Sequence, residues 1–151
     1  MINEPKYNWK AETGEATCIL TYRGMEFEGK AFCHPDDMDM ASKLTGWNIA
    51  EARAIIKHLK YVRDFELKAQ LKVLHQFYNT INTSKRFNEQ SYESYMLRKR
   101  IKNLQLDLDA VKEEIAITKK FLNEYIEMKL RDHKMIREYR EKNKLVENNQ
   151  K

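Results

Sequence analysis

The residues best suited to chemistry in this 151-residue chain are cations interleaved with aromatic side chains. Arg98 and Lys102 lie four residues apart, so they share one face if their segment is helical. Phe77 and Tyr78 precede them along the chain. Arg and Lys donors grip phosphate oxygens, and an aromatic face can stack on a nucleobase, so this set points to a nucleotide ligand. Composition alone favours the alternative, a solvated helix surface with the aromatic residues in the core.

Catalytic and metal-binding patterns are missing from the sequence. The four histidines are scattered, and no His-x3-His, CxxC, GxSxG or glycine-rich phosphate loop occurs. Cys33-His34, followed by Asp36 and Asp37, comes nearest to a metal site. A buried thiol followed by the start of a helix explains the same residues and is preferred. We therefore expect no catalytic residue, no metal and no cofactor, and a protein that is not an enzyme.

The charge balance is mildly basic. The chain has 28 Lys+Arg against 23 Asp+Glu, a formal net charge of +5, which suits an anionic partner without requiring one. Because 34% of the residues are charged, the surface is large for the core, as in an elongated or oligomeric protein. No segment reaches the roughly 18 apolar residues of a membrane span, and the N-terminus lacks the apolar run of a signal peptide. We expect a cytoplasmic protein without a membrane partner.

Residues 16 to 33 predict a β-hairpin with a two-residue turn at Arg23-Gly24. In that register Cys18 faces Gly29, and apolar residues fill one face while mostly polar residues fill the other. Cys33 then lies about 13 Å from Cys18, too far for a disulfide, so we expect two buried thiols. The N-terminal segment, which carries a tyrosine and a tryptophan, can add a third strand.

Turn-forming residues are confined to the first third of the chain, since no glycine or proline occurs from Trp47 to Lys151. Pro35 and the aspartates after it predict a short helix, which Gly46 ends in a left-handed conformation. Asn48 and Glu51 have the spacing of a capping box, which predicts that a new helix begins at Asn48 with the preceding tryptophan as a hydrophobic staple.

Apolar spacing predicts two long helices after this junction. In the first, apolar residues step by 3 or 4 from Ala52 to Val62 and resume at Leu67 after a small phase shift. In the second, heptad spacing runs from Ile101 to Tyr125, a seam too long for the first helix to cover.

The predicted fold is mainly α with a small N-terminal antiparallel β-element and two long helices, in an obligate oligomer. We expect one domain overall, in which the β-hairpin element and short helix occupy residues 1–46. The remaining parts are a first long helix over 47–80, a connection over 81–91, a second long helix over 92–145 and a disordered tail.

The junction resembles a known family. Its G-x-A-x-C-H-P-x-D pattern at residues 29–37 and T-G-W-x-I-A-E-x-R-A pattern at residues 45–54 are similar to the phage family of Thoeris anti-defence protein 1. The likeness is best over about residues 16 to 90. It implies a sponge in the cytoplasm of the infected bacterial host, which binds cyclic ADP-ribose isomers made by TIR-domain proteins without cleaving them. It also implies a homo-oligomer, a dimer or a hexamer, and in some members a second site for cyclic oligonucleotides.

The resemblance also implies site residues. The family has an arginine on the first long helix, which Arg53 matches. It has an aromatic residue near the end of that helix to stack the adenine, for which Phe77 or Tyr78 is the candidate. It has an asparagine in the following connection, which Asn88 matches.

The second helix departs from the family pattern. The family uses two arginines one turn apart there, and no Arg-x3-Arg occurs on that stretch. Arg98 with Lys102 is the nearest substitute, and Arg100 is a further candidate. Arg23 at the hairpin tip is the candidate for a second anion site.

Three other functions stay open at this point. A nucleic-acid-binding protein would use the basic helices against a phosphate backbone, with affinity that falls steeply with salt. A structural coiled-coil phage protein would have no small ligand. A hydrolase of the signal would release product over time.

Overall fold

The computed structural model describes residues 2–82 and 92–150, so Asn88 lies outside the described residues. Three strands come first, β1 (Lys6–Lys10), β2 (Glu15–Tyr22) and β3 (Met25–Phe32), followed by a 3₁₀ helix at Pro35–Met40. Helix α1 (Lys43–Tyr61) continues through a π-helix (Val62–Leu67) into α2 (Lys68–Asn82), and α3 spans Tyr92–Asn149. The predicted fold class, mainly α with a small antiparallel β-element, is confirmed. No described helix is long and apolar enough to cross a membrane.

The sheet has the order β1-β2-β3 and is antiparallel throughout. Cys18 pairs with Gly29 and Tyr22 with Met25, so the predicted hairpin register is confirmed. Arg23 and Gly24 at the turn both have positive φ, 50° and 78°, as a tight two-residue hairpin turn requires. The third strand predicted from the N-terminal segment is also confirmed, as β1.

Helix α1 packs against the sheet through small residues. Ala50 and Ala54 are fully buried in a core that includes Ala16 and Cys18. Gly29 on β3 lies against the backbone of α1, where an added Cβ would be 2.6 Å from the Ala54 nitrogen and closer still to the Ala50 carbonyl oxygen. A side chain at residue 29 would therefore push the helix away from the sheet.

The predicted role of Gly46 as a helix end is wrong. Gly46 lies inside α1, and only Gly14 and Gly24 among the described glycines have positive φ. A Cβ at Gly46 would lie 2.7 Å from the Cβ of Ala16, so the glycine is required by close packing of α1 on the sheet. The Ser42 hydroxyl accepts a hydrogen bond from the Thr45 N–H at 3.3 Å and caps the helix start.

Asn48 does not begin a helix either, because α1 already begins at Lys43. The Asn48 side-chain amide instead donates to the Tyr125 hydroxyl at 3.2 Å. The Trp47 indole donates to the Asn8 carbonyl at 3.0 Å, so this side chain ties α1 to β1. Asn48 and Trp47 thus have tertiary contacts in place of the local ones that the sequence predicted.

Both cysteines are free, as predicted, but their environments differ. Cys18 is fully buried, and burial raises the pKa of its thiol to about 11. Cys33 is only half-buried, so the expectation of two buried thiols is wrong for it. Its Sγ donates to the Asp37 carbonyl at 3.3 Å.

The chain forms two compact units. The first unit comprises Met1–Ile55 with Thr118–Lys151, and the second unit comprises Ile56–Ile117. Leu71, Leu108 and Ile115 are among the buried side chains of the second unit. The prediction of a disordered tail is wrong for its first residues, because α3 continues to Asn149.

The π-helix at Val62–Leu67 explains the phase shift in the apolar pattern. A step of five residues, from Val62 to Leu67, replaces the helical step of three or four. A π turn contains one residue more than an α turn. It therefore accommodates the five-residue step, and the apolar faces before and after it keep the same direction. None of its six side chains is buried.

Candidate ligand-binding sites

Three of the sequence-predicted site residues line one cavity in the second unit. Tyr78 comes from α2, and Arg98 and Lys102 come from α3. The cavity has a volume of about 410 Å³. We call it the second-unit cavity; its remaining lining residues are His75, Ile101, Gln105 and Leu106. An aromatic ring beside two cations is the combination that the sequence analysis sought.

Helical spacing explains why these side chains converge. On α3, Arg98, Lys102 and Gln105 follow one another at steps of four and three, so they project from one face. On α2, His75 and Tyr78 are three residues apart and also share a face. The cavity is thus lined by one face of each helix.

Hydrogen bonds to the helices hold two of the lining side chains. The Arg98 Nε lies 3.4 Å from the carbonyl oxygen of Ser94, one turn earlier in α3. The Gln105 amide donates to Asp109 Oδ1 at 3.0 Å, one turn later. A guanidinium has five N–H donors in a planar fork, and this bond engages one of the five donors of Arg98.

Phe77 and Arg100 do not line the second-unit cavity. Phe77 is 55% exposed, whereas its neighbour Tyr78 is half-buried. One residue on a helix corresponds to a rotation of about 100°, so adjacent side chains face different directions. Of the two aromatic candidates, Tyr78 is the one that the fold places beside the cations.

Arg53 and Arg23 belong to the first unit. Arg53 lines a groove there and donates from Nη1 to the Lys30 carbonyl at 2.6 Å. Arg23 lies at the hairpin turn with its guanidinium carbon 5.1 Å from the centroid of the Tyr22 ring. Neither residue is among those that line the second-unit cavity.

The groove lined by Arg53, which we call the first-unit groove, brings together side chains that the sequence did not link. Asp37 is only 3% exposed, and its carboxylate oxygens lie 3.0 Å from Arg137 Nη1 and 3.4 Å from His133 Nδ1. Lys129 lines the groove as well, with its Nζ 5.5 Å from the centroid of the Tyr125 ring. Lys129, His133 and Arg137 follow Asp37 by 92 to 100 residues in the sequence, and no short motif links them to it.

His58 and Asp64 are among the titratable groups of the second unit that have shifted pKa values. Burial lowers the pKa of His58 below its usual value, so this imidazole is neutral at neutral pH. A hydrogen bond from Arg63 lowers the pKa of Asp64 to about 2, with Lys68 as a further partner. Neither residue lines the second-unit cavity, so these shifts do not bear on its chemistry.

Within residues 2–82 and 92–150, no group of three or more His, Cys, Asp or Glu side chains is arranged to hold a metal ion. Cys33, His34 and Asp37 of the sequence pattern form no such group, and the Asp36 side chain lies outside the described ones.

Comparisons with known proteins add no relative: no protein-family model, curated protein or solved structure matches this chain.

Proposed function

We propose that this protein binds cyclic ADP-ribose isomers and sequesters them without cleavage, as a phage anti-defence sponge against Thoeris immunity. The observation that carries the proposal is the second-unit cavity, in which Tyr78, Arg98 and Lys102 meet. The resemblance of the junction to the Thoeris anti-defence protein 1 family supplies the identity of the ligand. The cavity supplies the chemistry that such a ligand needs.

Cyclic ADP-ribose isomers contain an adenine ring and a pyrophosphate. Arg98 and Lys102 offer donors for phosphate oxygens, and a guanidinium can contact two oxygens at once. The ring of Tyr78 offers a face on which the adenine can stack. At about 410 Å³ the cavity falls in the size range of small-molecule sites, roughly 300–1,000 Å³. Sequestration needs only binding, with no proton transfer.

The proposed sponge is a homo-oligomer, a dimer or a hexamer. Support comes from an apolar stripe on α3, where Phe121, Met128 and Met135 recur every seven residues and are 67%, 41% and 67% exposed. Large apolar side chains at heptad spacing are typical of a helix that packs on another helix. Size-exclusion chromatography with light scattering tests this on Phe121→Glu, with Asn123→Glu as an exposed control on the same helix turn.

Calorimetric titration with the 1′′–2′ and 1′′–3′ isomers of cyclic ADP-ribose tests the function. The bound nucleotide is then released by heat and identified by chromatography. Tight stoichiometric binding of at least one isomer, with intact ligand recovered and no effect of competitor DNA, is the expected result. Recovery of an altered nucleotide would make the protein a hydrolase.

Three single variants locate the site. Arg98→Gln and Lys102→Gln each remove a cation from the cavity, and we expect each to weaken binding by roughly tenfold or more. Arg100→Gln is the matched control, because it removes one exposed cation from the same helix without touching the cavity. Equal losses from all three would indicate a general electrostatic effect. Arg53→Ala and Asn88→Ala test the positions that rest on the resemblance.

Two negative results lead to the other candidate functions. If neither isomer binds, cyclic oligonucleotides and then duplex DNA are titrated at two salt concentrations. Binding to long DNA that falls steeply with salt would identify a nucleic-acid-binding protein. If no nucleotide binds and the oligomer persists, a structural coiled-coil role replaces the sponge.

A further inference from the structure

The first-unit groove is a built recess with an apolar interior. Five elements of the unit line it, namely β1, the end of β3, the 3₁₀ helix, α1 and the part of α3 after residue 117. Trp9, Ile49, Ile126 and Leu130 provide much of its apolar wall. The indole of Trp9 also lies close to Gly46, where any Cβ would be 3.3 Å from its ring. The close packing of α1 on β1 therefore holds this wall in place.

The volume of the groove is large enough for one ring. It is about 180 Å³, and an apolar protein cavity of about 150 Å³ is known to hold a benzene molecule. A single six-membered ring therefore fits among the apolar side chains.

Charged side chains at the groove favour an anionic substituent on that ring. Arg53 and Lys129 both line it. The carboxylate of Asp37 also lines it, but Arg137 Nη1 is 3.0 Å from one of its oxygens, and this ion pair cancels its charge. Among the Arg, Lys and Asp side chains of the lining and this ion pair, the cations exceed the anions by two. An anionic group in the groove is attracted electrostatically by both of these cations.

The position of Arg53 is fixed before any ligand arrives. Its Nη1 donates to the Lys30 carbonyl at 2.6 Å, which ties the guanidinium to strand β3. A guanidinium carries five N–H groups, so this bond leaves others that can donate to an acceptor. An anchored donor loses less conformational entropy on binding than a free side chain does.

We propose that the first-unit groove binds a small molecule with one planar apolar ring and one anionic group, a carboxylate or a phosphate. The ring lies against Trp9 and Leu130, and the anionic group lies at Arg53 and Lys129. No residue that lines this groove also lines the second-unit cavity, although the resemblance assigns Arg53 to the nucleotide.

Nuclear magnetic resonance titration of the full chain tests the proposal. The probes are phenyl phosphate and benzoate, with benzylamine, benzyl alcohol and inorganic phosphate as controls. The chain has two tryptophans, so a Trp47→Phe variant assigns the indole N–H signal of Trp9. We expect at least one of the two anions to shift the signals of Trp9 and the Gly46 amide saturably. The cationic, neutral and ring-free probes should bind at least about tenfold more weakly.

Variants decide whether the cations act as proposed. Arg53→Gln and Lys129→Gln should each weaken binding of the anionic probe by roughly tenfold. Lys57→Gln is the matched control, since this exposed lysine lies one turn beyond Arg53 on α1 and does not line the groove. The spectra also show whether each variant keeps its fold, and Lys129→Gln decides the matter if Arg53→Gln does not fold.

Three results would overturn the proposal: no saturable shift with either anion, equal binding of benzylamine, or shifts that fall outside the groove. The proposed nucleotide site can fail separately. Tyr78→Ala should leave the phenyl phosphate titration unchanged while it weakens any binding of cyclic ADP-ribose.

Discussion

Gly29→Ala tests the packing on which the whole first unit depends. The added methyl group would be 2.6 Å from the Ala54 nitrogen and closer to the Ala50 carbonyl oxygen. Ordinary contacts of this kind are about 3.4 Å or longer, so α1 must move by more than about 1 Å to clear the Ala50 carbonyl oxygen. A radial gap of about 1 Å already forfeits up to about half of the dispersion energy between the facing atoms. The obstacle is backbone, which cannot rotate away as a flexible side chain can.

We expect Gly29→Ala to cost about 3 kcal/mol, at the upper end of the range for overpacked cores. For a chain of this size, 1 kcal/mol corresponds to about 2–4 °C in Tm, so the expected decrease is about 6–12 °C. Gly24→Ala is the control, because its φ of 78° strains any side chain but no atom lies within 4 Å. Strain alone should cost about 1–2 kcal/mol and lower Tm by about 2–8 °C.

Thermal unfolding followed by circular dichroism measures both variants. Tryptophan fluorescence reports on the first unit in the same samples, because Trp9 and Trp47 both belong to it. If Gly29→Ala melts within about 2 °C of the parent protein, α1 does not lie as close to β3 as described here. If Gly29→Ala loses less stability than Gly24→Ala, the packing argument also fails, because Gly29 has no positive φ and the contact with α1 is the expected cause of its loss.

Three further predictions concern single side chains. Tyr78→Ala should weaken cyclic ADP-ribose binding roughly 5–150-fold by loss of stacking, while Phe77→Ala changes it less than about threefold in the same calorimetric titration. Because burial lowers the pKa of His58, the unfolded chain binds more protons, so stability to urea should fall as the pH decreases from about 7.5 to about 5. His58→Gln should flatten that dependence, and an unchanged slope would assign it to other groups. The half-buried Cys33 should react with a disulfide reagent at least about tenfold faster than Cys18, whose pKa is raised to about 11.

The hairpin could be predicted from the sequence because its determinants are local. Arg23-Gly24 sets the turn, and the alternation of apolar and polar residues sets the register. A register shifted by one residue would expose Cys18 and Leu20, which are both buried. Such a shift is strongly disfavoured, and the sequence shows this without any tertiary information.

The start of α1 could not be predicted in the same way. Asn48 and Glu51 have capping-box spacing, and Gly46 precedes them, so local chemistry favours a helix start at residue 48. Tertiary packing decides otherwise, because only a glycine at residue 46 allows α1 to approach Ala16 and Trp9. The same glycine fits a helix end and a close helix–sheet contact, and the sequence does not distinguish the two.

The candidate sites were predictable to the extent that they lie on one helix face. The four-residue spacing of Arg98 and Lys102 places them together, and the second-unit cavity contains both. The choice between Phe77 and Tyr78 required the phase of α2, which the sequence left open. The first-unit groove was not predictable, since Asp37 and His133 are brought together only by tertiary structure.

The phase of α2 leads to a last prediction. The apolar pattern takes one extra residue between Val62 and Leu67, and the π-helix absorbs it there. Deletion of the exposed Phe65 should convert this π turn into an ordinary α turn while the faces on both sides keep their directions. The exposed Gln70 lies in regular α-helix, which contains no extra residue. Its deletion should therefore rotate the preceding helix by about 100° relative to Tyr78. Urea unfolding should show a small loss of stability for the first deletion and a large loss for the second. Equal losses would mean that the π-helix does not set the phase of α2.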